Sequence, residues 1–328
     1  MLVQGIVMGK TFRVKGTGRF IKEDEVEKVG KKLVEKGSGA AVVQTWEKMS
    51  KSKHNGVDPK QMLNDYGIDS TRLLTLADVS PTSNRNWNSQ TFPGVLKWQH
   101  RLWLTVRQFQ AARNIRDELQ KSDTFDEQDA FIWDSRNFYL KGATFCYSYT
   151  HQLSVAISKM QGLTGSLRKS SKDVVALSGE YERALAAQIV MLAPIAPHFA
   201  SELWSGFREA PGRIDKNPGE IKWDCPLVEQ SWPQTDDLYK LDLKFMVNNA
   251  FKGSLKVARC ELDALSKCNV EAMALNEPAV TSGIDNRPII DVKYKLFPGC
   301  EAIINFITLK SDKKTEESGD DECLAQKA

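Results

Sequence analysis

The 328-residue sequence predicts a mixed α/β protein: a β-rich N-terminal region, then a mainly α-helical bundle, then a small α+β C-terminal module. Alternating apolar residues around a glycine-rich turn predict a hairpin near the N-terminus. Apolar residues that recur at spacings of three and four predict amphipathic helices from about residue 93 to residue 207. Four short strand-like runs beside one helical run predict the C-terminal module.

The N-terminal region, residues 1–92, opens on an apolar run at residues 2–8 that is typical of a buried strand. Two further runs, residues 11–14 and 19–21, flank a turn rich in glycine, which predicts a β-hairpin. Residues 22–36 are highly charged and are followed by Gly-Ser-Gly, so we expect a flexible surface stretch there.

A loop is predicted at residues 46–57, followed by two short helices. Asp58 and Pro59 predict the start of the first helix, because aspartate accepts hydrogen bonds at an N-cap and proline suits the first helical position. Gly67 is expected to end that helix, and Asp69 to cap the next one.

The helical region, residues 93–237, is predicted to be a bundle followed by a linker. One apolar face is formed by Val95, Trp98, Leu102, Val106 and Phe109. Residues 208–237 contain repeated proline and glycine, which predicts a linker.

The C-terminal module is predicted to cover residues 238–310. Its candidate elements are strands at 243–248, 254–259, 288–295 and 302–308, with a helix near 261–267. The last residues, 311–328, are charged and poor in large apolar side chains, so we expect a disordered tail.

Composition excludes several classes of protein. No apolar run reaches the roughly 18 residues that a membrane-spanning helix needs, so no membrane partner is expected. The six cysteines form no C-x-x-C pair, so neither a zinc site nor another protein-bound metal is predicted. The net charge is +3, so any surface that binds nucleic acid must be a local patch.

Residues 48–52, K-M-S-K-S, carry the pattern most closely tied to chemistry. Lys48 and Lys51 are three positions apart on a serine-rich loop, so both ammonium groups can reach one polyphosphate, and Ser50 and Ser52 can add donors. When the α-phosphorus of ATP is attacked, negative charge grows on the departing pyrophosphate, and placed cations stabilise that charge. In isolation, the same spacing is also typical of a solvated basic turn.

The run extends well beyond these five residues. Residues 46–59 read W-E-K-M-S-K-S-K-H-N-G-V-D-P, and residues 66–73 read Y-G-I-D-S-T-R-L. Together they resemble the second signature of the class I aminoacyl-tRNA synthetases and the segment that follows it. The resemblance implies that residues 1–92 are the C-terminal part of a class I nucleotide-binding catalytic core.

The resemblance also implies roles on the loop. Lys48, Met49, Ser50, Lys51 and Ser52 would bind ATP, which carries Mg²⁺ on its phosphates. Lys51 matches the residue that contacts the phosphates, Lys48 assists it as a second catalytic cation, and the backbone near Met49 packs beside the adenine.

Three further segments are similar to the leucyl branch of this family. They are residues 93–103, P-G-V-L-K-W-Q-H-R-L-W, residues 192–204, L-A-P-I-A-P-H-F-A-S-E-L-W, and residues 247–253, V-N-N-A-F-K-G. The first resembles the animal mitochondrial form. This similarity implies a monomer of the mitochondrial matrix that uses ATP and leucine to form leucyl-adenylate, then charges tRNA-Leu. The bundle would be of the anticodon-binding type.

The sequence also departs from the family pattern. The first class I signature, an H-x-G-H-type tetrapeptide, is absent, and the four histidines are isolated along the chain. The editing domain and the leucine pocket are absent as well. We therefore expect a fragment that does not form adenylate by itself. Two alternatives stay open: a non-catalytic tRNA-binding or interaction fragment, and part of an isoleucyl or valyl enzyme.

Two groups of cationic residues are candidates for tRNA phosphates. They are Arg101, Arg113 and Arg116 in the bundle, and Lys252, Lys256 and Arg259 in the C-terminal module. A solvated polar face explains the bundle residues equally well.

Overall fold

The structure is a computed structural model that describes residues 5–77, 80, 82–214 and 220–309. The predicted mixed α/β class is confirmed. The chain divides between Tyr239 and Lys240 into two compact units. The predicted tail, residues 311–328, lies outside the described residues.

The first unit begins with a small sheet. The strands of this sheet are β1 (Val7–Val14), β2 (Phe20–Ile21), β5 (Val42–Lys48) and β6 (Arg85–Asn86). Strands β3 (Val26–Val29) and β4 (Lys32–Glu35) form a separate hairpin. Strand β1 is central: it pairs antiparallel with β2 and β5 and parallel with β6. The predicted hairpin is therefore present as β1 and β2, and within the described residues its first strand is continuous from Val7.

Two expectations for this region are wrong. Residues 22–36 form the β3–β4 hairpin rather than a flexible stretch, because Val26 and Leu33 pack on a small core that includes Phe12. The charges that suggested a flexible segment lie on the exposed faces of these strands. The predicted loop also begins too early, since β5 continues to Lys48.

Two short helices, α1 (Pro59–Tyr66) and α2 (Ile68–Leu76), follow the loop. As predicted, Asp58 caps α1 by accepting a hydrogen bond from the Lys60 N–H at 2.9 Å, and Gly67, with φ of 75°, ends it. Asp69 does not cap α2. Its carboxylate instead accepts from the Phe199 N–H at 2.6 Å, at the start of a later helix that packs on α2.

The bundle consists of α3 (Phe92–Asn114), α4 (Phe125–Phe145), α5 (Leu153–Leu167), α6 (Lys172–Leu177), α7 (Gly179–Leu192) and α8 (Pro197–Glu209). Every residue of the apolar face predicted on α3 is buried. Trp98 is 1% exposed, and its indole N–H donates to Thr164 Oγ1 at 2.9 Å, so the bundle core also fixes α3 against α5. Among the described residues, no helix is long and apolar enough to cross a membrane.

The predicted linker is packed rather than free. Leu227 is buried in the bundle core, and the Trp232 indole N–H donates to Thr144 Oγ1 at 2.9 Å. Near its end, Asp236 is paired with Arg136 and Arg183 of the bundle. Proline and glycine correctly indicated irregular backbone, but the tryptophans and this carboxylate hold that backbone on the helices.

The second unit is an α+β module. Its elements are β7 (Lys240–Val247), β8 (Ala250–Ala258), α9 (Arg259–Ala264), α10 (Lys267–Leu275), α11 (Pro278–Ile284), β9 (Ile289–Phe297) and β10 (Glu301–Thr308). The sheet order is β8-β7-β10-β9, with β7 and β10 parallel. All four predicted strands are present. The helix predicted near residues 261–267 corresponds to α9, and α10 and α11 were not predicted.

Candidate nucleotide-binding site

The K-M-S-K-S segment leaves the edge of the first sheet. Strand β5 ends at Lys48, and Ser50 is extended with φ of −152°. A single 3₁₀ turn, Lys51–Lys53, follows, and His54 ends it in the left-handed region with φ of 52°. The segment is therefore a short loop held between a strand and a reversal of the backbone, with the Ser50 and Ser52 hydroxyls 2.9 Å apart.

Asn55 holds this loop on the central strand. Its side chain is buried, and its Nδ2 donates to Thr11 Oγ1 of β1 at 2.7 Å. The same nitrogen lies 3.3 Å from the carbonyl oxygens of Glu47 and Lys48, while Oδ1 accepts from the Ser50 N–H at 2.8 Å. One buried amide, which follows the Lys51–Lys53 turn in sequence, thus satisfies backbone groups of the segment that precedes the turn.

Gly9 allows this close approach. A Cβ atom added at Gly9 would lie 2.0 Å from the backbone carbonyl oxygen of Asn55. Since that neighbour is backbone, no side-chain rotation could relieve the clash. A glycine in this strand therefore marks where the loop backbone lies against β1.

The three lysines of the loop differ in their partners. Lys53 Nζ donates to Glu47 Oε2 at 2.6 Å. Hydrogen bonds from Lys53 and Thr45, aided by the nearby Arg13 charge, lower the pKa of Glu47. Lys48 and Lys51, by contrast, are exposed, and neither forms an ion pair with any residue that the structure describes. The two lysines predicted to clamp a polyphosphate are thus the ones left available.

A cavity of about 590 Å³ lies beside the loop. Its lining comes from β1, β5, the loop and the segment before α3: Gly9, Lys10, Glu23, Gln44, Trp46, Met49, His54, Asn55, Gly56, Val57, Trp87, Asn88, Ser89 and Gln90. A volume of this size is within the usual range for small-molecule sites. Of the five residues predicted to bind ATP, Met49 belongs to this lining, and Lys48, Ser50, Lys51 and Ser52 do not.

Sequence reasoning missed three contributors to this site. The sequence assigned no role to Trp46 or Trp87, yet both half-buried indoles line the cavity. Asn55 was read as part of the signature without a role of its own. The Asn55-Gly56 step was the local signal for a backbone reversal, which the structure shows at the positive φ of His54.

One predicted tRNA contact is wrong. Arg113 is 3% exposed, and its guanidinium pairs with Glu182 at 2.6 Å. Burial lowers the pKa of Arg113, and the Glu182 charge opposes that shift. The side chain cannot reach an RNA phosphate because its position on α3 adjoins the apolar face, next to Phe109 and Ala112.

The other five candidate tRNA contacts differ in their exposure and in the partners that they already have within the protein. Arg101 is exposed, and Arg116 donates to the Gly212 carbonyl at 2.8 Å. In the second unit, Lys252 is half-buried, Lys256 pairs with Asp242 at 2.8 Å and Arg259 pairs with Asp263 at 3.4 Å.

The described residues contain no group of three or more His, Cys, Asp or Glu placed to hold a metal ion.

Two family profiles match parts of the chain. Residues 38–88, which include the loop, match the class I tRNA synthetases for I, L, M and V. Residues 150–264 match the anticodon-binding domain of tRNA ligases.

Individual relatives are consistent with these profiles. A probable mitochondrial leucine–tRNA ligase from Pongo abelii is 34% identical over 267 residues, which cover 78% of this chain and 29% of that protein. A leucine–tRNA ligase from Prochlorococcus marinus (strain MIT 9211) is 27% identical over 305 residues, covering 90% of this chain and 32% of that protein. The chain therefore spans about three tenths of the length of the curated relatives it matches.

A solved ternary complex of Agrobacterium radiobacter K84 agnB2 LeuRS with tRNA and LeuAMS is similar at 20% identity and a TM-score of 0.44. The match covers 80% of this chain and 31% of that chain. This likeness is too distant to support an argument about the site.

Proposed function

Because this chain belongs to the leucyl branch of the class I tRNA synthetases, we propose that it is part of a mitochondrial leucine–tRNA ligase. In that reaction ATP and leucine form leucyl-adenylate, and the leucyl group passes to tRNA-Leu. The residues of this chain would supply the signature loop of the ATP site and part of the tRNA-binding surface. The matrix is the proposed compartment, and a monomer the proposed state.

The observation that carries this proposal is the pair of exposed ammonium groups on an anchored loop. Lys48 and Lys51 have no ion-pair partner among the described residues, while the Asn55 side chain bonds the backbone of Lys48 and Ser50 and anchors it on Thr11 of β1. Cations held in this way stabilise charge that develops during a reaction, because little reorganisation is needed at that moment.

The chemistry assigned to the lysines is electrostatic. When the leucine carboxylate attacks the α-phosphorus of ATP, the bond to pyrophosphate breaks and charge moves onto that leaving group. Lys48 and Lys51 would stabilise this charge without moving a proton. Mg²⁺ would arrive with the ATP phosphates, as part of the substrate.

The base of ATP is proposed to lie toward the cavity beside the loop. Trp46 and Trp87 offer flat apolar surfaces there, and Met49 joins them in the lining. The polyphosphate would then extend out of the cavity toward Lys48 and Lys51. Such a division, with the base in a partly apolar cavity and the phosphates on cations outside it, suits the amphipathic shape of a nucleotide.

The tRNA role is supported by the anticodon-binding profile over residues 150–264. Arg101 is the exposed bundle candidate for a phosphate contact, and Lys252, Lys256 and Arg259 are the candidates in the second unit.

The test is amino-acid-dependent exchange of pyrophosphate into ATP by the full-length gene product that contains this chain, with leucine, isoleucine and valine as separate substrates. Exchange that depends on leucine is expected. Exchange that depends on isoleucine or valine instead would assign the protein to an isoleucyl or valyl enzyme. No exchange with any of them, combined with retained binding of tRNA-Leu, would favour the non-catalytic alternative.

A further inference from the structure

One surface of the bundle is cationic and carries no acidic residue of its own. Helix α3 contains no aspartate or glutamate, and neither does the stretch 153–172 that covers α5 and its exit. The basic residues exposed on these two elements include Lys97 and Arg101 on α3, and Arg168 and Lys169 just after α5. We call these four residues the α3–α5 basic surface.

Two contacts hold the elements that carry these residues, α3 and the end of α5, against each other. The buried Trp98 indole N–H donates to Thr164 at 2.9 Å, and one turn further along, Arg168 Nη1 lies 3.4 Å from the Arg101 carbonyl oxygen. The two helices are therefore locked together at this level. Residues that flank Trp98 on α3 and follow α5 at its end must border a common surface.

The charges of this surface are not balanced within the described part of the chain. None of its four residues forms an ion pair with a described residue, although other arginines of the same bundle do. Arg113, Arg136 and Arg183 each have a carboxylate partner. The nearest acid in sequence, Asp173, is buried and accepts hydrogen bonds from Ser122. Clustered like charges repel one another, so an external polyanion would be favoured here.

The shape of the surface narrows the choice of polyanion. A shallow depression of about 500 Å³ is lined by Gly94, Leu96, Lys97, His100 and Arg101. Its lining combines apolar surface at Gly94 and Leu96 with the cations of Lys97 and Arg101. A concave strip of this kind suits a sugar–phosphate backbone, because the cations can contact phosphates and the apolar surface can contact a sugar or an unstacked base. A flat bilayer would not fill the depression.

Arg107, further along α3, is not part of this surface. It lines a separate groove of about 290 Å³ between α3 and α8, and Glu202 and Glu209 line the same groove. Carboxylates there reduce the local attraction for phosphate. On α3, the residues available to an anion are thus those of the N-terminal half of the helix.

We infer that the α3–α5 basic surface binds the phosphate backbone of tRNA. This inference rests on the proposed function and deepens it, since it names the residues of the bundle that contact the nucleic acid. It replaces Arg113, which is buried, with Arg168 and Lys169, which no pattern in the sequence indicated.

The test compares two triple variants of the 328-residue chain that lose equal charge. The first, R101Q/R168Q/K169Q, neutralises the proposed surface. The control, K28Q/K31Q/K32Q, neutralises three exposed lysines of the β3–β4 hairpin that have no ion-pair partner among the described residues. Binding of a fluorescent tRNA-Leu transcript is measured by anisotropy between about 50 and about 200 mM salt.

The surface variant is expected to reduce the slope of log affinity against log salt by about 2 to 3, because each lost phosphate contact contributes about 0.7 to 0.9. The control is expected to keep the wild-type slope. A second variant, R101K/R168K, keeps the charge and is expected to keep the slope, which separates loss of contact from loss of fold. Equal slopes for the surface variant and the control would overturn the inference.

Two further outcomes are distinct. If the wild-type chain binds no tRNA, the tRNA part of the proposed function fails with the inference. If the wild-type chain binds tRNA with a salt slope that the surface variant shares, only the inference fails.

Vesicles rich in phosphatidylserine serve as a second probe. Vesicle binding that the surface variant loses, with tRNA binding unchanged, would assign the surface to membranes and overturn the inference.

Discussion

The side-chain amide of Asn55 joins two strands and a loop: it donates to Thr11 at 2.7 Å and accepts from the Ser50 N–H at 2.8 Å. Removing this amide should leave the Ser50 N–H without its acceptor and deprive the buried Thr11 hydroxyl of a donor, while that hydroxyl still donates to the Gly9 carbonyl oxygen at 3.0 Å. We expect Asn55→Ala to lower the free energy of unfolding of the first unit by about 1–3 kcal/mol. Urea unfolding measures this change, with Asn64→Ala, an exposed asparagine of α1, as control. A loss of unfolding free energy no larger than that of the control would contradict the conclusion that the Asn55 amide holds the loop on β1.

Gly9 should tolerate no side chain. A methyl group there would meet the Asn55 carbonyl oxygen at 2.0 Å, so Gly9→Ala should cost about 1–3 kcal/mol through displaced backbone. Gly94→Ala is the matched control, because a Cβ at Gly94 has no neighbour within 4 Å and the residue is helical. Thermal unfolding of both variants is the measurement. A Gly9 variant as stable as the Gly94 variant would contradict the close approach.

Arg113 and Glu182 form an ion pair in which both side chains are at most 1% exposed. Arg113→Met should therefore remove the cation that neutralises the buried Glu182 carboxylate, which would keep its hydrogen bond from the Ile214 N–H, at a cost of about 3–5 kcal/mol. Arg116→Met, on the half-exposed neighbour, should cost less than about 1 kcal/mol. Urea unfolding distinguishes the two, and an Arg113 variant as stable as the Arg116 variant would contradict the buried pair.

Asp236 should make the first unit sensitive to acid. Burial opposes its ionisation, but the Arg136 and Arg183 charges prevail and lower its pKa from 3.8 to about 2. A depressed folded-state pKa gives stability that is present above the unfolded value and is lost as the pH falls from about 4 to about 2.

We expect Asp236→Asn to be less stable than the wild type near neutral pH, and the gap to narrow by about 2 kcal/mol across that acidic range. Unfolding free energies measured against pH test this, with the exposed Asp65→Asn as control. A gap that stays constant with pH would contradict the ion pairing of Asp236.

Periodicity was sufficient to predict the architecture but not its contacts. The apolar face of α3, the hairpin of β1 and β2 and the four strands of the second unit each follow from local patterns. Local patterns do not report which side of a helix adjoins a neighbour, so Arg113 was taken for a surface cation.

The candidate site was predictable in part for a related reason. Lys48 and Lys51 belong to a contiguous motif that the sequence shows directly. The cavity depends instead on Trp46 of β5 and Trp87, which follows β6. These two residues are distant in sequence and come together because β5 and β6 both pair with β1. Asp69 shows the same limit. Its position in the first turn of α2 suggested a local cap, but its carboxylate binds the N–H group of Phe199, which is 130 residues away.

The central claim is that Lys51 stabilises the pyrophosphate that leaves ATP. Its most direct test is leucine-dependent pyrophosphate exchange by the full-length gene product carrying Lys51→Ala, with Lys60→Ala, an exposed lysine of α1, as the matched control. Lys51→Ala is expected to lower kcat about 100-fold, as loss of one transition-state donor does, while Lys60→Ala keeps the wild-type rate. Exchange by the Lys51 variant at the wild-type kcat would contradict the account.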